Sequence, residues 1–155
     1  MQSLLSNINI LVNENLYLKD PKSSDLGKKI LESSITMINE LGFESFTFSK
    51  LGKHINSTEA SIYRYFEGKH KLLIYLTSLY WGWMEYQLVF SLANIDDGKE
   101  RLNRALKILT CDHQAEIGPG GFDSEKLYQI VISESSKAYL TKNVDQENQK
   151  GYFSS

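Results

Sequence analysis

The sequence predicts an all-α protein, and three observations carry that prediction. Only two prolines occur, Pro21 and Pro119, and the chain between them is helix-periodic. No run alternates apolar and polar residues over the length of a strand, and no Asn-Gly or Asp-Gly turn joins two such runs. Apolar residues recur instead at spacings of three and four, the period of one helical face.

The elements follow in order. A first helix starts after Ser24, which caps it together with or in place of Asp25. Leu26, Ile30, Leu31, Ile35, Ile38 and Leu41 share a face, and Gly42 ends the helix as a left-handed cap. A short helix begins at Thr47, with Phe48, Leu51 and Ile55 on one side. Asn56-Ser57 makes the next turn, because Asn tolerates a left-handed backbone. Thr58 caps a second short helix, Glu59 to Phe66, which Glu67-Gly68 terminates. A long helix runs from Lys69 to about Ala93. Another opens at Asp96 or Asp97 and carries Leu102, Ala105, Leu106 and Leu109. Residues 112–123 contain IGPGG and read as a loop. Ser124 opens a last helix that turns Leu127, Ile130, Val131 and Ala138 inward. Past Asn143 the chain is polar and is expected to fray.

Totals bound the function. The chain has 155 residues, 41% of them hydrophobic, which suits one domain or a small headpiece on a helical body. Its net charge is −2. The first 75 residues carry nine Lys/Arg and eight Asp/Glu, and the remainder eight and eleven. Any nucleic-acid binding must therefore come from local placement of cations, not from a bulk field. Cys111 is the single cysteine, so no internal disulfide forms. The N-terminus has no basic residue before Lys19 and no continuous apolar run of the kind a signal peptide needs. No stretch is long and apolar enough for a bilayer. A cytoplasmic protein without a membrane role is expected.

Two short capped helices joined by a tight turn and preceded by a longer helix are the parts of a helix-turn-helix. In that unit the second short helix enters the major groove of double-stranded DNA. The stretch TEASIYRYFEGKHKLL (Thr58 to Leu73) suits the task. Ala60 and Ser61 are small at the tip, where backbone must approach bases. Ile62 and Phe66 hold the helix from behind. Tyr63, Arg64 and Tyr65 offer hydroxyls and a guanidinium to phosphates. Lys69 opens the long helix, where its ammonium and the free N–H groups would face a phosphate. Thr47 and Thr58 bring two more helix N-termini to the backbone. The plainer reading makes the aromatics core; it is adopted for Phe66, while the spaced context favours phosphate contact for the tyrosines.

From Ile30 to Leu73 the chain resembles the N-terminal domain of tetracycline-repressor family regulators. The residues that carry the resemblance are ELGF (Glu40 to Phe43), Thr47, Leu51, Thr58, SIYRYF (Ser61 to Phe66), Lys69, Leu72 and Leu73. It implies a three-helix DNA-binding head followed by a helical body that binds a small molecule and pairs with a second copy. It also implies that Thr47, Thr58, Ser61, Tyr63, Tyr65 and Lys69 contact DNA backbone, and that Ser49, Lys50, Glu59 and Ala60 lie nearest the bases. The sequence departs from the family at Gly52, Ile55, Asn56 and Ser57. Gly52 in place of Ala is expected to weaken its helix by roughly 1 kcal/mol. The chain ends soon after its last helix, so the body is expected to be incomplete.

The run LYWGWMEYQLVF (Leu79 to Phe90) suggests an aromatic ligand pocket lined by Tyr80, Trp83, Met84, Tyr86 and Phe90. Helix core and dimer seam is the competing reading, and Trp81 and Trp83 cannot face the same way. Cys111, Asp112, His113 and Glu116 lack the spacing of a metal site. No nucleophile elbow, phosphate loop or paired carboxylates mark an enzyme, and no cofactor is implied. The sequence therefore reads as an extension (1–23), a DNA-binding domain (24–71) and a ligand-binding and dimerisation domain (72–155). The expected function is a ligand-responsive repressor that binds a pseudo-palindromic operator as a homodimer, with an unknown small-molecule effector. The alternative is a helical interaction module of the same fold that does not bind DNA.

Overall fold

The computed structural model describes residues 9–110 and 118–139. The Cys111 to Glu116 cluster and the polar segment past Asn143 lie outside these residues. Six α-helices and no strand occur among the described residues.

Helix α1 (Asp25–Leu41) is capped where its sequence indicates. The Ser24 hydroxyl accepts from the Gly27 N–H at 3.1 Å, and Gly42, at φ 78°, returns its N–H to the Ile38 carbonyl. Ile30, Leu31, Ile35, Met37 and Ile38 are buried. Leu41, expected inside, is exposed because the chain turns away at Gly42 and Phe43 takes the interior place.

Helices α2 (Phe48–His54) and α3 (Glu59–Tyr63) form the helix-turn-helix. The Thr47 hydroxyl accepts from the Lys50 N–H, and that of Thr58 from the Ser61 N–H, each at 3.2 Å. Asn56 holds the turn at φ 55°. Gly52 has a packing reason for its place. The Ser57 N–H donates to its carbonyl, and a Cβ there would stand 2.9 Å from the Ser57 oxygen. The cost in helix propensity is thus set against a closer turn. Helix α3 stops at Tyr63 rather than Phe66, because the Tyr65 carbonyl leaves the helical pattern to accept the Leu18 N–H at 2.8 Å.

Helix α4 (Lys69–Leu92) runs from head to body. Its first half is buried on every side from Leu72 to Thr77, where α6 and the N-terminal segment pack on it; its far end is largely exposed. Helix α5 (Gly98–Thr110) packs on α4 yet buries no residue fully, and Leu102, Leu106 and Leu109 face outward. Helix α6 (Ser124–Tyr139) turns Leu127, Ile130, Val131 and Ala138 into the core, as their spacing predicts. Asp123 caps it by accepting from the Lys126 N–H.

The N-terminal segment packs on the head. Leu16 and Ile10 join the core, and Tyr17 meets Tyr75 edge to face. Two 310 turns, Glu14–Leu16 and Pro21–Ser23, shape it. Pro21 lies so close to α1 that a Cβ on Gly27 would overlap the Pro21 carbonyl oxygen.

Lys69 differs from its expected role. Its ammonium donates to the carbonyls of Phe43, Glu44 and Phe46 at 2.9, 3.2 and 3.0 Å, and it lies over the Phe43 ring. The loop between α1 and α2 leaves three carbonyls turned one way, and a cation on the next layer satisfies them. Lys69 therefore fixes the head rather than offering its charge to a phosphate.

Both contacts are open to substitution. Lys69→Met removes a charge-assisted group from three carbonyls and should lower stability by about 2 kcal/mol in urea denaturation; an unchanged midpoint would contradict the clamp. Gly27→Ala should displace the N-terminal segment while the helices persist. The Leu18 amide should then exchange its hydrogen about tenfold faster, since its acceptor on Tyr65 would be lost at a cost near ~1.4 kcal/mol.

Candidate nucleic-acid interface

The helix-turn-helix presents a polar, solvent-facing surface. Thr47, Ser49, Lys50, Thr58, Glu59, Ala60, Tyr63 and Arg64 are exposed, and Ser61 is half-buried. Their backs are anchored: Phe48, Leu51, Ile55, Ile62 and Phe66 are all buried. The helix-turn-helix therefore shows its polar residues to solvent on a rigid support.

Local contacts pre-set several of these side chains. The Thr58 and Ser61 hydroxyls share a hydrogen bond of 2.7 Å in addition to the cap. The Lys50 ammonium donates to the Ser45 carbonyl at 2.7 Å, which draws it toward the start of α2. The Tyr63 ring leans edge-on against Phe48, with centroids 5.0 Å apart, and is 45% exposed. An apolar body is thus held while the rest of the ring stays in solvent, the disposition a phosphate contact requires.

Tyr65 corrects the expectation. It is 3% exposed, and its hydroxyl is hydrogen-bonded to Ser24 Oγ at 2.7 Å. That bond, chiefly, lowers the pKa of the phenol from its ordinary value, and Lys19 and Arg64 act in the same direction. Lys19 stands over the ring, 5.1 Å from its centroid. The side chain that spacing alone assigns to DNA backbone instead joins the head to the N-terminal segment.

Two cations escape the motif reading. Lys53 lies one turn after Lys50 on the exposed side of α2. Lys19 arrives at the end of α3 from 46 residues earlier. The first can be found from helical spacing; the second depends on a tertiary contact, of which LYLKDP is the one sign.

The aromatic run on α4 does not form one pocket lining. Tyr80, Trp83 and Met84 are interior, each 2% exposed, whereas Tyr86 and Phe90 are exposed and stacked on each other with centroids 6.2 Å apart. Tyr80 packs against Trp81, Trp83 and Tyr128, and burial pushes its phenol pKa up to about 12. This is core packing, as the plainer reading of the run expects.

Head and body meet at a buried carboxylate. Glu134 on α6 accepts from the Phe43 N–H at 3.2 Å and pairs with Lys137 at 2.6 Å. Lys137 also faces Glu44 at 3.7 Å. The loop that Lys69 holds from α4 is thus held from α6 as well. Asn39 adds a bond from α1 to the Lys126 carbonyl.

Among the described residues no helix is long and apolar enough to cross a membrane, and no group of His, Cys, Asp and Glu could hold a metal ion. No curated protein and no solved structure matches the chain. Residues 30–76 match the family model described as bacterial regulatory proteins, tetR family. That span takes in the core of α1, both short helices and the buried start of α4, the parts that build the surface described above. Over residues 30–76 the chain is thus similar to the tetR family of bacterial regulatory proteins.

Proposed function

We propose that this protein is a ligand-responsive transcriptional repressor that binds a pseudo-palindromic operator as a homodimer in the cytoplasm. The observation that carries the reading is the exposed row on the two capped helices, backed by a fully buried anchor. Ala60 and Ser61 at the start of α3 are small enough for close approach to base edges, with Ser49 and Lys50 beside them. Thr47, Thr58, Tyr63 and Arg64 take phosphates, and Lys53 and Lys19 add cations in place of the contacts expected of Tyr65 and Lys69. Glu59 accepts from a cytosine amine or turns from the phosphates.

The DNA-binding unit is residues 24–71 together with the packed N-terminal segment, and residues 72–155 form the body. Pairing is supported by an apolar surface on the outer halves of α4 and α5. Trp81, Val89, Phe90, Leu102, Leu106 and Leu109 are each 46% exposed or more. Two copies related by a two-fold axis would cover these side chains. The two heads of such a dimer must meet half-sites about 34–36 Å apart. A small pivot of α4 and α6 against the loop at Phe43 is then enough to lose both at once.

Selection from a random double-stranded DNA library at physiological salt should enrich an inverted repeat. On that sequence, Lys53→Ala and Arg64→Ala should each weaken binding and reduce the slope of log K against log salt by about 0.9. Tyr65→Phe should leave the slope unchanged. A folded protein that enriches no sequence would point to an interaction module on the same fold.

A further inference from the structure

Helix α3 has five residues, little more than one turn, and a helix that short does not hold its own direction. Ile62 and Phe66 bury its back, but apolar burial is non-directional and lets a helix tilt. Its start is fixed by the Thr58 cap. Its end is fixed from residues 18–24. The Leu18 N–H donates to the Tyr65 carbonyl at 2.8 Å, the Ser24 and Tyr65 hydroxyls share a bond of 2.7 Å, and the Lys19 ammonium lies over the Tyr65 ring. Tyr65 is two residues past α3, and its own N–H returns to the Ile62 carbonyl at 2.9 Å. A displacement of Tyr65 therefore reaches the last turn of α3.

The same segment is fastened to α4 at two points. Tyr17 meets the buried Tyr75 ring edge to face, with centroids 5.9 Å apart. Ile10, itself buried, lies on Gly82 so closely that a Cβ there would stand 2.7 Å from its Cγ2. Gly82 is about 20 Å along α4 from Lys69. Between these fastenings the segment is stiffened by its own bonds. Asn13 accepts from the Asn15 N–H and Asp20 from the Lys22 N–H, each at 2.9 Å, and the Lys22 ammonium folds back on the Ile10 carbonyl. Two glycines, Gly27 against Pro21 and Gly82 against Ile10, let the segment approach both helices. Lys69 holds the entry of α2, whereas this segment holds the exit of α3.

We propose that residues 10–24 act as a strap that sets the angle of α3 from α4, with Ile10 and Tyr65 as positioning residues for base readout. A change in the packing of α4 at Gly82 then reaches α3 through the strap. The base-readout half rests on the DNA-binding reading above; the mechanical half does not.

Gly82→Ala tests the strap from the end remote from α3. Alanine is favoured over glycine inside a helix, so α4 persists while the added methyl group displaces Ile10. Hydrogen exchange of the full chain without DNA should show the Leu18, Tyr65 and Phe66 amides about fivefold faster, with those of Leu51 and Ile55 unchanged. Unchanged exchange at Tyr65 and Phe66, or equal acceleration at Leu51 and Ile55, overturns the strap. On DNA, Gly82→Ala and Tyr65→Phe should each lower the preference for the enriched repeat over a mixed-sequence duplex about fivefold, while affinity for the mixed duplex and its salt slope hold. An unchanged preference, or an equal loss on both duplexes, overturns the base-readout half alone. If the unaltered protein enriches no sequence, the DNA-binding reading fails instead, and hydrogen exchange still decides the strap.

Discussion

The orientation of the helix-turn-helix depends on how the loop between α1 and α2 is held. That loop turns the carbonyls of Phe43, Glu44 and Phe46 toward one point, and the Lys69 ammonium occupies it. A single cation satisfies all three, with the carbonyls of Phe43 and Phe46 partly withdrawn from solvent. The clamp joins the first residue of α4 to the entry of α2. The angle at which α2 and α3 face solvent is therefore set by the helix that also forms the centre of the body. Glu134 closes the same loop from the other side through the Phe43 N–H.

Much of this is legible in the chain. Ser24, Thr47 and Thr58 each sit at a helix start and each accepts the predicted backbone N–H. Gly42 and Asn56 take the positive φ that their positions demand. Such signals are local: a cap and its partner are three residues apart, so sequence order suffices to find them. Tyr65 and Lys69 depart from their expected roles for the opposite reason. Their partners, Ser24 and the Phe43–Phe46 carbonyls, are 41 and 23–26 residues away. A Tyr or Lys beside a groove-binding helix looks the same whether it reaches out or folds in. The aromatic run on α4 makes no pocket because six consecutive residues of that helix, Leu72 to Thr77, are buried on all sides, and the packing continues to Tyr80, Trp83 and Met84. Periodicity loses its meaning on a helix enclosed by neighbours.

The two ends of α4 divide the molecule's tasks. At its start the helix is interior, and it transmits position through Lys69 and Tyr75. At its far end Val89 and Phe90 are exposed, as are the outward leucines of α5. Between these lies the carboxylate of Glu134, where the last described helix touches the head. A change in how α4 or α6 packs would reach α2 through side chains already in contact, with no need for a longer route.

The central claim is that the head meets DNA through α2 and α3 while Tyr65 and Lys69 stay inside. Amide chemical shifts of the labelled protein, followed as a mixed-sequence duplex is added at low salt, test it most directly, since non-specific binding near ~10⁻⁴–10⁻⁶ M falls in the observable range. The account predicts that the amides of Thr47, Ser49, Lys50, Thr58, Ala60, Ser61 and Tyr63 move together. Those of Tyr80, Trp83 and the described part of α6 should stay in place. Shifts centred elsewhere, or none on a folded protein at saturating duplex, would contradict it.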